Sequence, residues 1–261
     1  MLATLAFGIS AADRPDHDRL GTLIERRGYA ELWANDTRRG DGVALLAAAG
    51  TATSTLRLAV GVVSLSEHTP TEIHRRVIDA GLPLDRFTLG VGAGSSASLD
   101  LVRNGVGELR QLLPGVPIAV AAVGPRMLRL AGEVADAVVA TWSLPERVSW
   151  IRQQLDAGAA DAGRATPRLA LYVRTAIGAG AADRLRAEME RYRGYGRHYA
   201  RAFDEQPDRP VGVAVESGSP FEVAVGLAPY RVEADTLVVR GLPAGDAIED
   251  WISLASAIPT L

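Results

Sequence analysis

The chain has 261 residues, 48% hydrophobic and 23% charged, with a net charge of -3, enough for one large domain or two small ones. It has no cysteine, and all 28 basic residues are arginine, which excludes disulfides, thiolate catalysis, zinc–cysteine sites, lysine Schiff bases and a Walker lysine. No basic cluster is interleaved with aromatics and no apolar run reaches the roughly 18–20 residues that span a bilayer, so neither nucleic acid nor a membrane is an expected partner.

In chain order, Leu2–Ile9 reads as a buried first strand. It carries no basic leader region or small-residue cleavage site, and a cytoplasmic location is expected. Pro15-Asp16 opens a helix to Arg27 with Leu20, Leu23 and Ile24 on one face, and Gly28 stops it. Glu31–Asn35 is a short second strand leading into a polar turn, Asp36–Asp41. The alanine-rich helix Gly42–Thr53 precedes a long third strand, Leu56–Leu65. The next helix, Thr71–Gly81, takes Thr71 as its cap, with Glu72 where the macrodipole favours an acid. Arg86–Gly92 is a fourth strand running into the glycine-rich Gly90–Ser96, and Leu99–Leu113 is the helix after it.

Pro117–Trp142 then reads as strand, tight corner, amphipathic helix, strand. Val120–Val123 and Ala137–Ala140 offer no polar face, as expected of strands buried on both sides. At the Gly124-Pro125-Arg126 corner, proline suits the first helical position and the free N–H groups of the first turn can hold an anion, a phosphate above all. Pro145–Gly163 is a helix, Arg168–Ile177 a seventh strand, and Ala181–Phe203 a long arginine-rich helix whose charges read as a solvated outer face. Gln206–Pro220 is a connector, Phe221–Tyr230 is helical, Asp235–Arg240 is an eighth strand and Asp246–Ala257 a last helix. This alternation favours a closed parallel α/β barrel, with an open doubly wound sheet as the competing arrangement.

In a barrel the site lies at the C-terminal ends of the strands. Those ends include Asn35-Asp36-Thr37, Ser64–His68, Gly92–Ser96, Val123–Pro125, Trp142, Arg174-Thr175 and Arg240-Gly241. They hold no converging carboxylate pair and no metal-ligand spacing, so a cofactor that brings its own chemistry fits better than side-chain acid–base work. Gly90-x-Gly92-x-Gly94 lacks the third glycine and the distant acid of a dinucleotide fingerprint. As a floor without Cβ atoms it lets a planar ring approach, although a barrel corner needs glycine too. His17, His74 and His198 fall on helices and His68 on a loop, none beside an acid placed to orient it for catalysis.

Gly28–Asp36, Leu56–Pro70, Asp85–Gly94, Pro117–Trp142 and Phe221–Leu242 together, and in this order, resemble the bacterial luciferase-like family of flavin and deazaflavin (coenzyme F420) oxidoreductases. The resemblance covers most of the chain. It implies a single (β/α)8 TIM barrel over residues 1–261. It further implies that Gly124, Pro125 and Arg126 hold the cofactor phosphate, that Gly61-Val62 is a non-proline cis peptide pressing on the cofactor's middle ring, and that Gly92, Ala93 and Gly94 line the ring edge. Asn35-Asp36-Thr37 stands where many relatives carry Ser-Asp-His, so Asn35 and Thr37 are expected at the cofactor, and the usual histidine is replaced by Thr37. The connection after strand four is short, with one helix between Gly94 and Pro117, which implies a more open cavity. The implied activity is hydride transfer between coenzyme F420 and a small organic substrate, with Asp36 or Ser66 supplying a proton. The alternatives are an FMN-dependent monooxygenase and a trimmed flavin-binding barrel without turnover. A homodimer is expected on the same resemblance.

Overall fold

Parallel strands and helices alternate around a closed ring. The computed structural model describes residues 3–11, 16–232 and 234–260, so the expected starts at Leu2 and Pro15 lie outside the described residues. The elements are β1 (Thr4–Ser10), α1 (His17–Arg26), β2 (Glu31–Asn35), α2 (Gly42–Thr51), β3 (Arg57–Ser64), α3 (Pro70–Asp79), β4 (Phe87–Gly92) and α4 (Leu99–Leu112). They continue with β5 (Ile118–Ala122), α5 (Pro125–Val134), β6 (Ala137–Thr141), α6 (Val148–Asp161), β7 (Arg168–Ile177), α7 (Ala181–Arg193) and α8 (Arg197–Asp204). The chain ends with β8 (Val213–Val215), α9 (Pro220–Leu227), β9 (Thr236–Gly241) and α10 (Ile248–Ala257).

Strands β1 to β7 and then β9 pair in parallel around the barrel, with β6 on β7, β7 on β9 and β9 on β1 closing it. Closure rules out the open doubly wound sheet. The short β8 pairs with the end of β7, outside the ring.

The barrel has two apolar layers, because successive residues of a strand point to opposite faces. Outward residues such as Phe7, Ile9, Leu32 and Leu58 pack with Leu20, Ile24 and Leu46 of the helices. Each such side chain contributes roughly 1.5–3 kcal/mol by burial. Inward residues form a separate cluster dominated by Trp33 and Tyr172, with Ala6, Ala59, Ala119 and Ala170 making room for the two rings. Below them the buried Glu31 accepts from Trp33 Nε1 at 2.7 Å and from Arg57 and Arg168 at 2.9 and 2.7 Å. A buried carboxylate is tolerated when its oxygens are this fully engaged.

The structure departs from the sequence expectation in three places, the first being that the expected connector Gln206–Pro220 holds the short strand β8. Thr69, not Thr71, caps α3: its hydroxyl accepts from Glu72 N–H while the Glu72 carboxylate accepts from Thr69 N–H at 2.8 Å. This capping box places Pro70 at the first helical position, where its missing N–H costs nothing. The expected helix over 181–203 breaks between α7 and α8 at Gly194–Gly196. Interior glycines weaken a helix, and the break lets Tyr192 and Phe203 both pack on Trp142, at 4.9 and 5.2 Å between ring centres. Among the described residues no helix is long and apolar enough to cross a membrane.

Candidate active site

The C-terminal mouth of the barrel opens into a cavity of about 1950 Å³, well above the roughly 300–1,000 Å³ of an ordinary ligand pocket. After β4 the chain passes through one short turn into α4 and returns directly to β5, so nothing long crosses the mouth on that side. α7 and α8 stand on the opposite side.

The floor is built by β3 and β4. The Gly61–Val62 peptide is cis, and the register between β3 and β4 shifts between Val60 and Val63. A Cβ on Gly61 would lie 2.2 Å from the Tyr172 hydroxyl and 3.0 Å from Trp33, so only glycine fits. Asn35 donates to the Gly61 carbonyl and accepts from Arg240 Nε at 2.8 Å. Gly92 and the buried Ala93 continue the floor. Gly94 adopts φ +60°, and a Cβ there would come within 2.1 Å of Ser64 Oγ. Glycine at these places leaves backbone, not side chain, facing the cavity.

Gly124 caps α5 with no side-chain hydrogen bond, and Pro125 occupies the first helical position. Leu128 N–H already bonds the Gly124 carbonyl at 3.0 Å. Among the described residues the N–H groups of Arg126 and Met127 have no partner, and the corner lines the cavity. Gly124 has φ -95° and a Cβ there would meet nothing within 4 Å. The residue is therefore not imposed by backbone geometry; the space above it is open.

The expected proton donors are placed otherwise. Asp36 lines the cavity, but its carboxylate receives both Arg76 guanidinium arms at 3.1 and 2.8 Å and the Gly42 N–H at 2.9 Å. With both oxygens occupied, it acts as an anchor between β2, α2 and α3. Ser66 is exposed, shares a 3.0 Å hydrogen bond with Ser64 Oγ and lies outside the cavity lining. Thr37 donates to the Ala11 carbonyl at 2.8 Å and braces the turn through Gly40. Asp36 is thus held in an ion pair, and Ser66 stands outside the cavity lining.

At the β7 end, Arg174 lies at the mouth as expected, while Tyr172 and the inner face of α7 and α8 were not expected there. Tyr172 is buried with an unpartnered hydroxyl, and burial pushes that hydroxyl's pKa up against the opposing pull of Arg240 and Arg174. Glu188 and Arg191, expected on a solvated face, turn toward the cavity. Glu188 is buried and takes Arg191 Nε at 2.8 Å. His198 and Tyr199 also line the mouth; burial lowers the first and raises the second to about 12. The signal available was periodicity: Leu185, Glu188, Met189 and Tyr192 recur at helical spacing on one face of α7. Among the described residues no group of three or more His, Cys, Asp or Glu side chains could hold a metal.

Comparison with known proteins agrees with this fold. A family model described as luciferase-like monooxygenase matches residues 6–107 and 103–232. A 5,10-methylenetetrahydromethanopterin reductase from Archaeoglobus fulgidus is 26% identical over 183 residues, 55% of this chain and 54% of that protein. Another from Methanolobus tindarius is 38% identical over 77 residues, 29% of this chain and 24% of that protein. The chain thus spans about half the length, or less, of the curated relatives it matches. Among solved structures, an F420-dependent secondary alcohol dehydrogenase in complex with an F420–acetone adduct superposes with a TM-score of 0.77 at 15% identity, covering 100% of this chain and 99% of that one. The oxygenating constituent of 3,6-diketocamphane monooxygenase from Pseudomonas putida, in complex with FMN, superposes with a TM-score of 0.68 at 14% identity, covering 99% and 97%. At these identities the likeness is one of fold.

Proposed function

The chain belongs to the luciferase-like monooxygenase family, and from that premise we propose that it is an oxidoreductase that binds coenzyme F420 at the barrel mouth and exchanges hydride with a small organic substrate. The observation that carries this reading is the floor at β3 and β4, where Gly61, Gly92 and Gly94 present backbone to the cavity and a Cβ on Gly61 or Gly94 would collide. A flat ring system fits such a surface; a bulky or strongly polar ligand gains little from it.

The residues present fit the coenzyme. Gly61, Val62, Gly92, Ala93 and Gly94 would lie against its ring, with Asn35 holding the floor through the Gly61 carbonyl. Gly124, Pro125 and Arg126 would receive its phosphate, the two free N–H groups of the α5 first turn donating to it. Thr37 shapes the rim. The bound coenzyme supplies the two-electron hydride chemistry that no side chain here can perform. The chain contributes binding, orientation and exclusion of water by the packed Trp33–Tyr172 layer below. A proton, where the reaction requires one, is better placed on the unpartnered Tyr172 hydroxyl than on the ion-paired Asp36.

FMN has a similar ring and also carries a phosphate, and an FMN-dependent monooxygenase is the second reading, favoured by the FMN-bound structural neighbour. Titrating the purified protein with each coenzyme separately, by fluorescence quenching, tests both. Saturable deazaflavin binding without FMN binding is expected. FMN binding alone transfers the assignment to the monooxygenase, and binding of neither refutes both.

A further inference from the structure

Arg174 on β7 and Arg240 on β9 are directly in register, two positions beyond the Tyr172–Val238 pair. Tyr172 and Val238 belong to the packed barrel interior. The period of a strand therefore sets both arginines on the same inward face, one layer nearer the mouth. Each is 3% exposed and each lines the cavity. Like charges side by side on adjacent strands repel, and a guanidinium does not escape by losing its proton. Burial and Arg174 together push Arg240 down to about 10, which leaves it cationic at neutral pH.

Neither arginine is neutralised by contact. Arg174 Nη1 donates to Thr141 Oγ1, and its Nε has no partner. Arg240 spends Nε on Asn35 and Nη1 on the Gly241 carbonyl. Among the described residues neither makes an ion pair with a carboxylate, and neither Nη2 makes a hydrogen bond. The Tyr172 hydroxyl beside them is also unpartnered. Arg174 rests against Trp142 and Tyr192, at 4.3 and 4.8 Å from the ring centres, which offsets part of its desolvation. Glu188, whose charge acts on Arg240, gives Oε2 to Arg191 and leaves Oε1 without a partner. Among the described residues Glu188 pairs with Arg191 and forms no ion pair with Arg174 or Arg240. Buried charge of this kind is costly unless an opposite charge completes it.

We propose that Arg174, Arg240 and the Tyr172 hydroxyl form an oxyanion subsite that holds a carboxylate or phosphate group of the substrate, so that the substrate class is an anionic small molecule. Planar guanidinium arms match both groups and give charge-assisted hydrogen bonds. The subsite is distinct from the α5 corner, which lies two strands away around the barrel at the end of β5. It is tied to the ring floor, because Asn35 links Arg240 to the Gly61 carbonyl. An anion held there is fixed beside the floor. That the anion belongs to a substrate rests on the coenzyme reading above; that an oxyanion binds does not.

The test titrates inorganic phosphate into the wild-type protein and the Arg174→Gln and Arg240→Gln variants, against chloride at equal ionic strength. Tryptophan fluorescence reports on Trp142, and the thermal midpoint reports independently of any one ring. Saturable phosphate binding is expected in the wild type, weakened at least tenfold in each folded variant. Should a variant fail to fold, the phosphate-specific rise of the wild-type midpoint and the other variant still decide. No phosphate effect beyond chloride in the wild type, or equal affinity in the variants, overturns the subsite. The titration is repeated on protein saturated with deazaflavin or FMN. Phosphate binding that survives saturation supports a substrate anion, and binding abolished by the coenzyme assigns the pair to the coenzyme's own acidic groups and overturns the substrate claim. If neither coenzyme binds while the phosphate effect depends on Arg174, the coenzyme reading fails and the oxyanion subsite stands.

Discussion

Replacing Gly124 by Asp separates helix stability from cofactor binding at the α5 corner. Gly124 is the cap residue, at φ -95° with open space where a Cβ would go, so the substitution is sterically free. A carboxylate at a cap accepts from the second and third N–H groups of the helix, here Arg126 and Met127. Those are the donors assigned to the coenzyme phosphate. The helix gains a few tenths of a kcal/mol, since glycine is only slightly worse than aspartate as a cap. Binding loses two hydrogen bonds to a charged group, each about 1.5 kcal/mol at the lower end, and gains a repulsion. A loss of about 3 kcal/mol corresponds to roughly hundredfold weaker binding. Fluorescence titration with the coenzyme, beside thermal unfolding of the same samples, measures both effects. Gly124→Ala is the control: it adds a methyl to open space and should bind within a few-fold of the wild type. Coenzyme affinity of Gly124→Asp within threefold of the wild type, with an unchanged or raised melting temperature, would refute the phosphate corner.

Gly61→Ala places a Cβ 2.2 Å from the Tyr172 hydroxyl and should destabilise by about 1–3 kcal/mol; adding Tyr172→Phe should restore part of the loss in chemical denaturation, the 3.0 Å approach to Trp33 remaining. Asp36→Asn removes one of the two carboxylate charges that pair with Arg76, Asp41 remaining at 2.8 Å, and should lower stability by about 1–3 kcal/mol, read from urea midpoints. Lost turnover with unchanged stability would instead return Asp36 to a proton-transfer role. Glu25 accepts from the N–H groups of Thr55, Leu56 and Ser54 and from the Thr55 hydroxyl, and these bonds lower its pKa to about 2. Its native value lies below its unfolded value near 4.5, so its contribution is full above pH 4.5 and fades as pH falls toward 2. Glu25→Gln should flatten stability against pH across that window, measured by thermal midpoints; an unchanged slope would contradict the assignment.

Much of the architecture was legible in local sequence. Apolar runs such as Val120–Val123 and Ala137–Ala140 predict strands buried on both sides, and Gly28 and Pro125 mark helix ends by backbone chemistry alone. Asn35, Gly61, Gly92 and Gly94 could be singled out because their order along the chain resembles one family. Short-range competition decided another feature. Thr69 outcompetes Thr71 because Glu72 can reach back to it, whereas the break in the helix after β7 is tied to a distant partner, Trp142, on which Tyr192 and Phe203 both pack.

What the sequence could not contain is who meets whom across the barrel. Asp36 ends a strand and reads as a free acid until Arg76, forty positions on, folds against it. Arg174 and Arg240 are 66 positions apart, and only the parallel register of β7 and β9 sets them side by side. Composition and periodicity fix which residues are buried and in what element. The partner of a buried charge is set by strand order and register, which exist only when the ring is closed.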